Sequence, residues 1–337
     1  MKVFQVEENW TMDNMRLSSR PDPEPGDGEV RIWMRASALN YRDLVVPLRG
    51  YGSRMKALPL IMLCDGCGII DTVGKNVKRL KTGDRVCPLF FQTWLGGEPN
   101  QERLARSLGC EMDGTMAEFM VLPEDGVALA PGHLDDIEVA TLPTAGVTAW
   151  HALITEGHIK PGDKVLVQGT GGVSLFALQF AKMIGASVIV TSSSDDKLKR
   201  VKKIGADETI NYRTYPEWGK RAREIADNEG VDHIVEVGGQ ETLPQSLRAI
   251  RTGGVISMIG VLSGGTMSAS LGMIVTRHVR MQGITVGSGD DLKAMLTAIN
   301  HHKLRPVVDC VFAFDELRQA LDYLSSGKHF GKIGIKH

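Results

Sequence analysis

Residues 164–184 read KVLVQGTGGVSLFALQFAKMI, and this stretch divides into three parts that together set the fold. KVLVQ (164–168) is a short β-rich run, and GTGGVS (169–174) is a glycine-rich turn. Beyond it Val173, Phe176, Ala177, Phe180, Ala181 and Ile184 recur at helical spacing, so one face of a helix packs on a sheet. Strand, glycine turn and helix in that order are the setting a dinucleotide fingerprint requires. Gly169 allows the tight turn and Gly171 lets backbone N–H groups approach a pyrophosphate. Thr170, Gly172 and Val173 complete the cradle at the positive helix N-terminus. Ser174 stands where Gly or Ala is usual, which asks the helix to sit slightly further from the strand.

Downstream, SVIVT (187–191), TINY (209–212), HIVEVG (233–238), GVISMIG (254–260) and MQGITVG (281–287) are further short β-rich runs. Amphipathic stretches separate most of them. Strands alternating with helices predict an α/β domain with a doubly wound parallel sheet. Upstream the pattern differs. VRIWMRASAL (30–39), PLIMLCDGCGIIDTVG (59–74) and AEFMVLP (117–123) alternate or run apolar between Gly and Pro, which predicts an all-β region. Near the end come two amphipathic segments, Leu292/Met295/Leu296/Ile299 and Leu317/Ala320/Leu321/Leu324, the second opened by Asp315 as N-cap and closed by Gly327. The short strand GKIGIKH follows.

Where NAD binders carry an acid for the ribose 2′-hydroxyl, this chain has Ser192. No carboxylate is there to repel a 2′-phosphate. Lys197, one helical turn on, and Tyr212, ending the third strand, add two more donors, so the pattern predicts NADPH. Lys197 also belongs to the basic run KLKRVKK (197–203), whose alternative reading is a solvated helix face.

Composition narrows the classes. With 39 basic and 40 acidic residues in 337, the net charge is −1, and no field draws in nucleic acid or an anionic membrane. MKVFQVEENW is polar where a signal peptide is apolar, and no run reaches a membrane span, so the expectation is a cytoplasmic protein. Five cysteines (Cys64, Cys67, Cys87, Cys110, Cys310) fit reduced, mostly buried thiols better than a disulfide framework.

Taken with ALNYRDL (38–44), LRGYG (48–52), LPTAGVTAWHAL (142–153) and HFGKIGI (329–335), these motifs resemble the medium-chain dehydrogenase/reductase superfamily over essentially the whole chain. The resemblance implies a GroES-like β-barrel catalytic domain at 1–125, a Rossmann NADP-binding domain at 126–290, and a segment, 291–337, that returns to the first domain. Zinc-dependent relatives hold a catalytic metal at places that correspond here to Asn40, Cys64 and Thr144, a poor donor set for Zn²⁺. The clustered cysteines of the structural-zinc lobe are also missing from 91–116. No metal is therefore expected.

Asn40-Tyr41-Arg42-Asp43 is instead similar to the zinc-free quinone oxidoreductase branch, which passes hydride to a quinone or an activated double bond. Asn40 and Tyr41 are then the candidate catalytic donors to the acceptor oxygen. Packing readings remain open for both, and Arg42 and Asp43 read as structural. By resemblance Thr148 touches the nicotinamide or its ribose, Glu236 to Gly239, with Gly238 among them, close the fourth strand near the adenosine side, Gly260 and Val261 border the cofactor, and Gly287 and Ser288 meet the carboxamide. Two alternatives stand beside this reading: an alcohol dehydrogenase or carbonyl reductase, and a non-catalytic NADPH-binding protein. A homodimer through an edge strand, MQGITVG, is also expected.

Overall fold

Along residues 29–36 and 119–123 buried positions alternate with more exposed ones, the period of a half-buried sheet. The N-terminal region holds β1 (Lys2–Val6), β2 (Met15–Ser19), β3 (Glu29–Ala38), the short helix α1 (Arg42–Val45), β4 (Leu60–Ile61), β5 (Asp65–Val73), β6 (Arg85–Pro88), β7 (Phe119–Pro123), β8 (Val127–Leu129) and α2 (Asp136–Ala140). β2, β1 and β4 form a small antiparallel sheet. β3 is the hub of a larger one: Ile32, Met34, Ala36 and Ala38 are buried, and the strand pairs antiparallel with both β5 and β7. The capping box of α2 joins Asp135 and Glu138, and the helix packs on β3 and β5. The computed structural model describes residues 1–266 and 269–337.

From α3 (Val147–Trp150) the chain enters β9 (Lys164–Gln168), α4 (Gly172–Ile184), β10 (Ser187–Ser192), α5 (Asp195–Lys203), β11 (Glu208–Asn211), α6 (Trp218–Ile225), β12 (Val231–Glu236), α7 (Leu243–Ala249), β13 (Ile250–Met258), α8 (Leu271–Thr276) and β14 (Arg280–Gly283). The six strands form one sheet in the order β11-β10-β9-β12-β13-β14, and every ladder is parallel. This is the doubly wound architecture the alternating pattern predicts. One face of the sheet, with Leu166, Ile189, Ile210, Ile234 and Ile256, packs on Trp218, Ala222, Leu243 and Leu247 of α6 and α7. The alternate residues Val165, Val167, Val188 and Val190 are buried too, and α4 packs on β9 and β10. α4 buries more than the expected stripe. Leu175 and Leu178 are buried beside Phe176, Ala177, Phe180 and Ala181, whereas Val173 and Ile184 at its ends are only half-buried. Phe180 stacks on Phe176 and meets the edge of Trp150 at 5.5 Å between centroids.

The chain closes with α9 (Gly289–His302), β15 (Val308–Ala313), α10 (Leu317–Ser325) and β16 (Lys332–Lys336). β16 pairs antiparallel with β3, and Leu317, Ala320, Leu321, Ile333 and Ile335 join Val3, Val6, Leu60 and Met62 in one core. The chain thus forms two units, Met1–Val147 with Ser288–His337, and Thr148–Gly287. Residues 126–147, expected in the second, lie in the first because α2 is seated on β3 and β5.

Two local expectations are corrected. MQGITVG is a strand only to Gly283: Ile284 makes one more bond, its N–H to the Met258 carbonyl at 2.9 Å, before the chain turns toward α9. Asp315 does not cap α10. A short 3-10 turn, Phe314–Glu316, intervenes, and Glu316 stands at the N-cap, its carboxylate taking the Ala313 N–H at 2.8 Å. All five cysteines are free, and no helix among the described residues is long and apolar enough to cross a membrane.

Candidate active site

The glycine turn is built as its composition requires. Gly169 has φ +73°, a left-handed conformation that a side chain resists. Its N–H donates to the Thr191 carbonyl at 2.8 Å, tying the turn to the neighbouring strand. Ser174 is accommodated without opening a gap, because its buried hydroxyl donates to the Gln168 carbonyl at 2.7 Å. Gly171 stands at the N-cap of α4, and no side chain caps that helix, in contrast to α5 and α9, which Ser194 and Ser288 cap. Gly169, Thr170, Gly171, Gly172 and Val173 thus leave the first N–H groups of a thirteen-residue helix open, a fit for a diphosphate.

Around this turn the other expected cofactor residues fall at the carboxyl ends of the strands. Ser192 ends β10 and is buried, with its hydroxyl accepting from the Ser194 N–H at 3.3 Å. Tyr212 directly follows β11, is exposed, and donates its N–H to the Ser192 carbonyl at 3.1 Å, so the two share one end of the sheet. The Lys197 N–H donates to the Ser194 hydroxyl in the first turn of α5. Gly260 follows β13 in close contact: a Cβ there would meet the Val237 carbonyl at 2.0 Å. Val261 beside it is 64% exposed.

Three of the expected contacts prove internally committed. Both backbone groups of Gly238 are bonded, its N–H to Glu236 at 3.0 Å and its carbonyl to Ser263, and a Cβ there would strike Thr242. Glycine at 238 is therefore explained by packing. Ser288 spends its hydroxyl on the capping box with Asp291, and it follows Gly287, the last residue of the second unit. Thr148 is buried, its hydroxyl 3.5 Å from the Thr285 carbonyl.

In the first unit, Asn40 ends the link between β3 and α1, at the centre of a buried polar cluster. Its amide nitrogen donates to Asp65 at 2.9 Å and lies 3.7 Å from the Cys64 sulfur; its oxygen accepts from Lys332 at 2.7 Å. The Lys332 ammonium also donates to the Leu39 carbonyl at 2.6 Å and to Asp65 at 3.2 Å, and this pair is 3% and 0% exposed. Cys64 Sγ lies 3.5 Å from the Thr144 hydroxyl. Burial pushes the Cys64 thiol up to about 12, with Arg42 opposing, so it is protonated at neutral pH. Asp43 accepts the Asn40 N–H at 2.7 Å, and burial, against the pull of Arg42, pushes its carboxyl up to about 6. Its second oxygen has no partner, and neither has that of Asp65.

Arg42 lays its guanidinium on the Phe90 ring and donates to the Leu108 carbonyl at 3.1 Å. Tyr41 is 53% exposed at the start of α1. The sequence reading missed Lys332 and Asp65. The signal was present, since a lysine inside the apolar strand GKIGI has to find a buried partner.

The three places that correspond to metal ligands do converge, but their chemistry does not fit Zn²⁺. An amide held by an ammonium, a hydroxyl and one thiol give a single strong Zn²⁺ donor, with no second thiol, imidazole or carboxylate among the three.

Residues 26–132 match the family described as alcohol dehydrogenase GroES-like domain, and residues 172–301 the family described as zinc-binding dehydrogenase. Over 315 residues the chain is 44% identical to a zinc-type alcohol dehydrogenase-like protein of Schizosaccharomyces pombe, covering 92% of this chain and 91% of that one. A candidate alcohol dehydrogenase of Sinorhizobium meliloti superposes with a TM-score of 0.94 at 41% identity, covering 100% and 98% of the two chains. An NAD-dependent alcohol dehydrogenase does so at 0.91 and 32%, covering all of both. More distant similarity reaches 2-methylene-furan-3-one reductase of Solanum lycopersicum, at 29% over 99% of this chain and 79% of that one. It also reaches the quinone oxidoreductase of Coxiella burnetii, at 25% with a TM-score of 0.80 over 100% and 99%.

Proposed function

We propose that this chain, which belongs to the medium-chain dehydrogenase/reductase superfamily and is one of its oxidoreductases, passes hydride from NADPH to a quinone or an α,β-unsaturated carbonyl without zinc. The observation that carries this reading is the Asn40–Lys332–Asp65 cluster at the place where a metal would have to bind. The turn Gly169 to Val173 holds the cofactor's diphosphate, with Ser192, Lys197 and Tyr212 at its 2′-phosphate. The bound nicotinamide supplies the hydride.

Asn40 orients and polarises the acceptor oxygen. Lys332 draws electron density from the amide oxygen, which sharpens the Nδ2–H donors. One of these is spent on Asp65 at 2.9 Å, whereas the other makes only the 3.7 Å approach to Cys64, and an acceptor oxygen displaces that weak contact at little cost. Tyr41, at the exposed start of α1, is the second donor.

A second reading, an alcohol dehydrogenase, is favoured by the 32% identical NAD-dependent neighbour. One panel separates the two. Chelator-treated protein is assayed with NADPH and NADH against a quinone, an enone and a simple aldehyde, and with NADP⁺ and NAD⁺ against simple alcohols. Quinone or enone turnover that survives chelation is the expected result. Activity confined to alcohols, or abolished by the chelator, overturns the proposal.

A further inference from the structure

β12 ends in a carboxylate that the chemistry above does not use. Glu236 is 0% exposed, and its hydrogen-bond donors among the described residues are all neutral. It gathers five neutral donors instead: the Gln168 amide at 2.6 Å, the N–H groups of Gly238 and Gly239 at 3.0 and 3.1 Å, and the hydroxyls of Thr242 and Ser246. Hydrogen bonds to an ionised acceptor are roughly twice as strong as neutral ones, so this is a stiff node. Gln168 is the last residue of β9, the strand beside β12, and directly precedes Gly169. Its amide also donates to Ser246 at 2.9 Å, and its oxygen accepts from the Val237 and Gly238 N–H groups at 3.3 Å each. Its own backbone carbonyl holds the Ser174 hydroxyl.

We infer that Glu236 is a positioning residue for the dinucleotide: through Gln168 it fixes the glycine turn at 169–171, and through Gly238 and Gly239 it fixes the loop after β12. The inference rests on reading that turn as the cofactor site. The buried neighbours Val231, Ile234 and Val235 fill the core of the same strand. A carboxylate is needed at 236 only because two loops must present their N–H groups inward in one geometry. With those N–H groups consumed, the loop offers the cofactor a backbone surface rather than donors, and the α4 N-terminus is left to bind the phosphates.

The test measures dissociation constants of NADPH and NADH by nicotinamide fluorescence for the full chain and for Glu236→Gln, Glu236→Asp and Gln168→Met, well below each melting temperature. Glu236→Gln keeps the shape but turns an amide toward donors, and it weakens both cofactors about tenfold, the equivalent of one charge-assisted bond. Glu236→Asp recovers part of this. Gln168→Met removes one of the five donors and leaves the carboxylate satisfied by the others; it weakens both cofactors equally, and it decides the matter should Glu236→Gln fail to fold. A merely structural node lowers the melting temperature and leaves the dissociation constants alone, so unchanged constants in a folded Gln168→Met protein overturn the inference. If the unmodified protein binds neither cofactor, the cofactor reading itself falls, which is a separate and recognisable result.

Discussion

Lys332→Met is the most informative single change in this chain. The ammonium lies 3.2 Å from an Asp65 carboxylate that is wholly buried, and its loss leaves that charge with the Asn40 amide as partner on one oxygen and none on the other. The Leu39 carbonyl and the Asn40 oxygen lose their donor as well. Removing one side of a buried pair costs about 3–5 kcal/mol, and the orphaned acceptors place the loss toward the upper end. Urea unfolding followed by tryptophan fluorescence measures it, with the transition of the first unit fitted separately because a chain of two units need not unfold in one step. Adding Asp65→Asn removes the stranded charge and keeps an acceptor for Asn40, so the double variant regains most of the stability. Quinone or enone turnover stays down by roughly ten- to a hundredfold, since the field that polarises Asn40 is still missing. A single variant that loses less than ~1 kcal/mol, the scale of a solvated pair, refutes the burial argument. A double variant that regains turnover refutes the role given to the ammonium.

NADPH should bind roughly ten- to a hundredfold more tightly than NADH if two donors among Ser192, Lys197 and Tyr212 reach the 2′-phosphate. Ser192→Asp should reverse that order and Lys197→Ala should weaken NADPH alone; equal constants for the two cofactors in the unmodified protein would falsify the assignment. The purified protein should hold no stoichiometric zinc by elemental analysis, and one tightly bound zinc per chain sinks the metal-free mechanism. Burial brings the His233 imidazole down to about 4 from its ordinary 6.5. The unfolded chain then takes up the proton first, so the contribution of this group is full above pH 6.5, falls by roughly 3 kcal/mol toward pH 4 and levels off below. A stability difference between the unmodified protein and His233→Gln that stays constant across that window contradicts this. Light scattering should give a homodimer, because β14 is a sheet edge and Leu271 and Val275 of α8, just before it, are 73% and 70% exposed; a monomer at micromolar concentration counts against it.

What the sequence disclosed was local. β9, the turn at Gly169 and α4 are contiguous, and each carries its own signal: a β-rich run, glycines, a period near 3.6. The cofactor residues expected at the strand ends follow from that frame. The polar cluster is different in kind, because Lys332 and Asp65 are 267 positions apart and meet only because β16 and β5 both pair with the end of β3. The bond between Glu236 and Gln168, 68 positions apart, was hidden because it too joins distant strands. The unit boundary was missed because α2 carries a helix signal, which says nothing of the sheet it packs on. Asn40 was found through its motif, but the direction of its amide depends on Lys332, and the sequence alone left it open.

The pairing of β16 with β3 also orders events during synthesis. The second unit occupies 148–287 within the first, so it is complete and able to close while α10 and β16 are still being made. Until Lys332 emerges, Asp65 has no cation to meet and stays hydrated, and the half-built sheet presents the β3 edge that β16 later covers. The nascent first unit is thus exposed for the time it takes to add about 290 residues after β3, since β3 ends at Ala38 and β16 begins at Lys332. A chaperone requirement should fall on that interval, and an arrested chain ending before 329 should be captured where the full 337-residue chain is released.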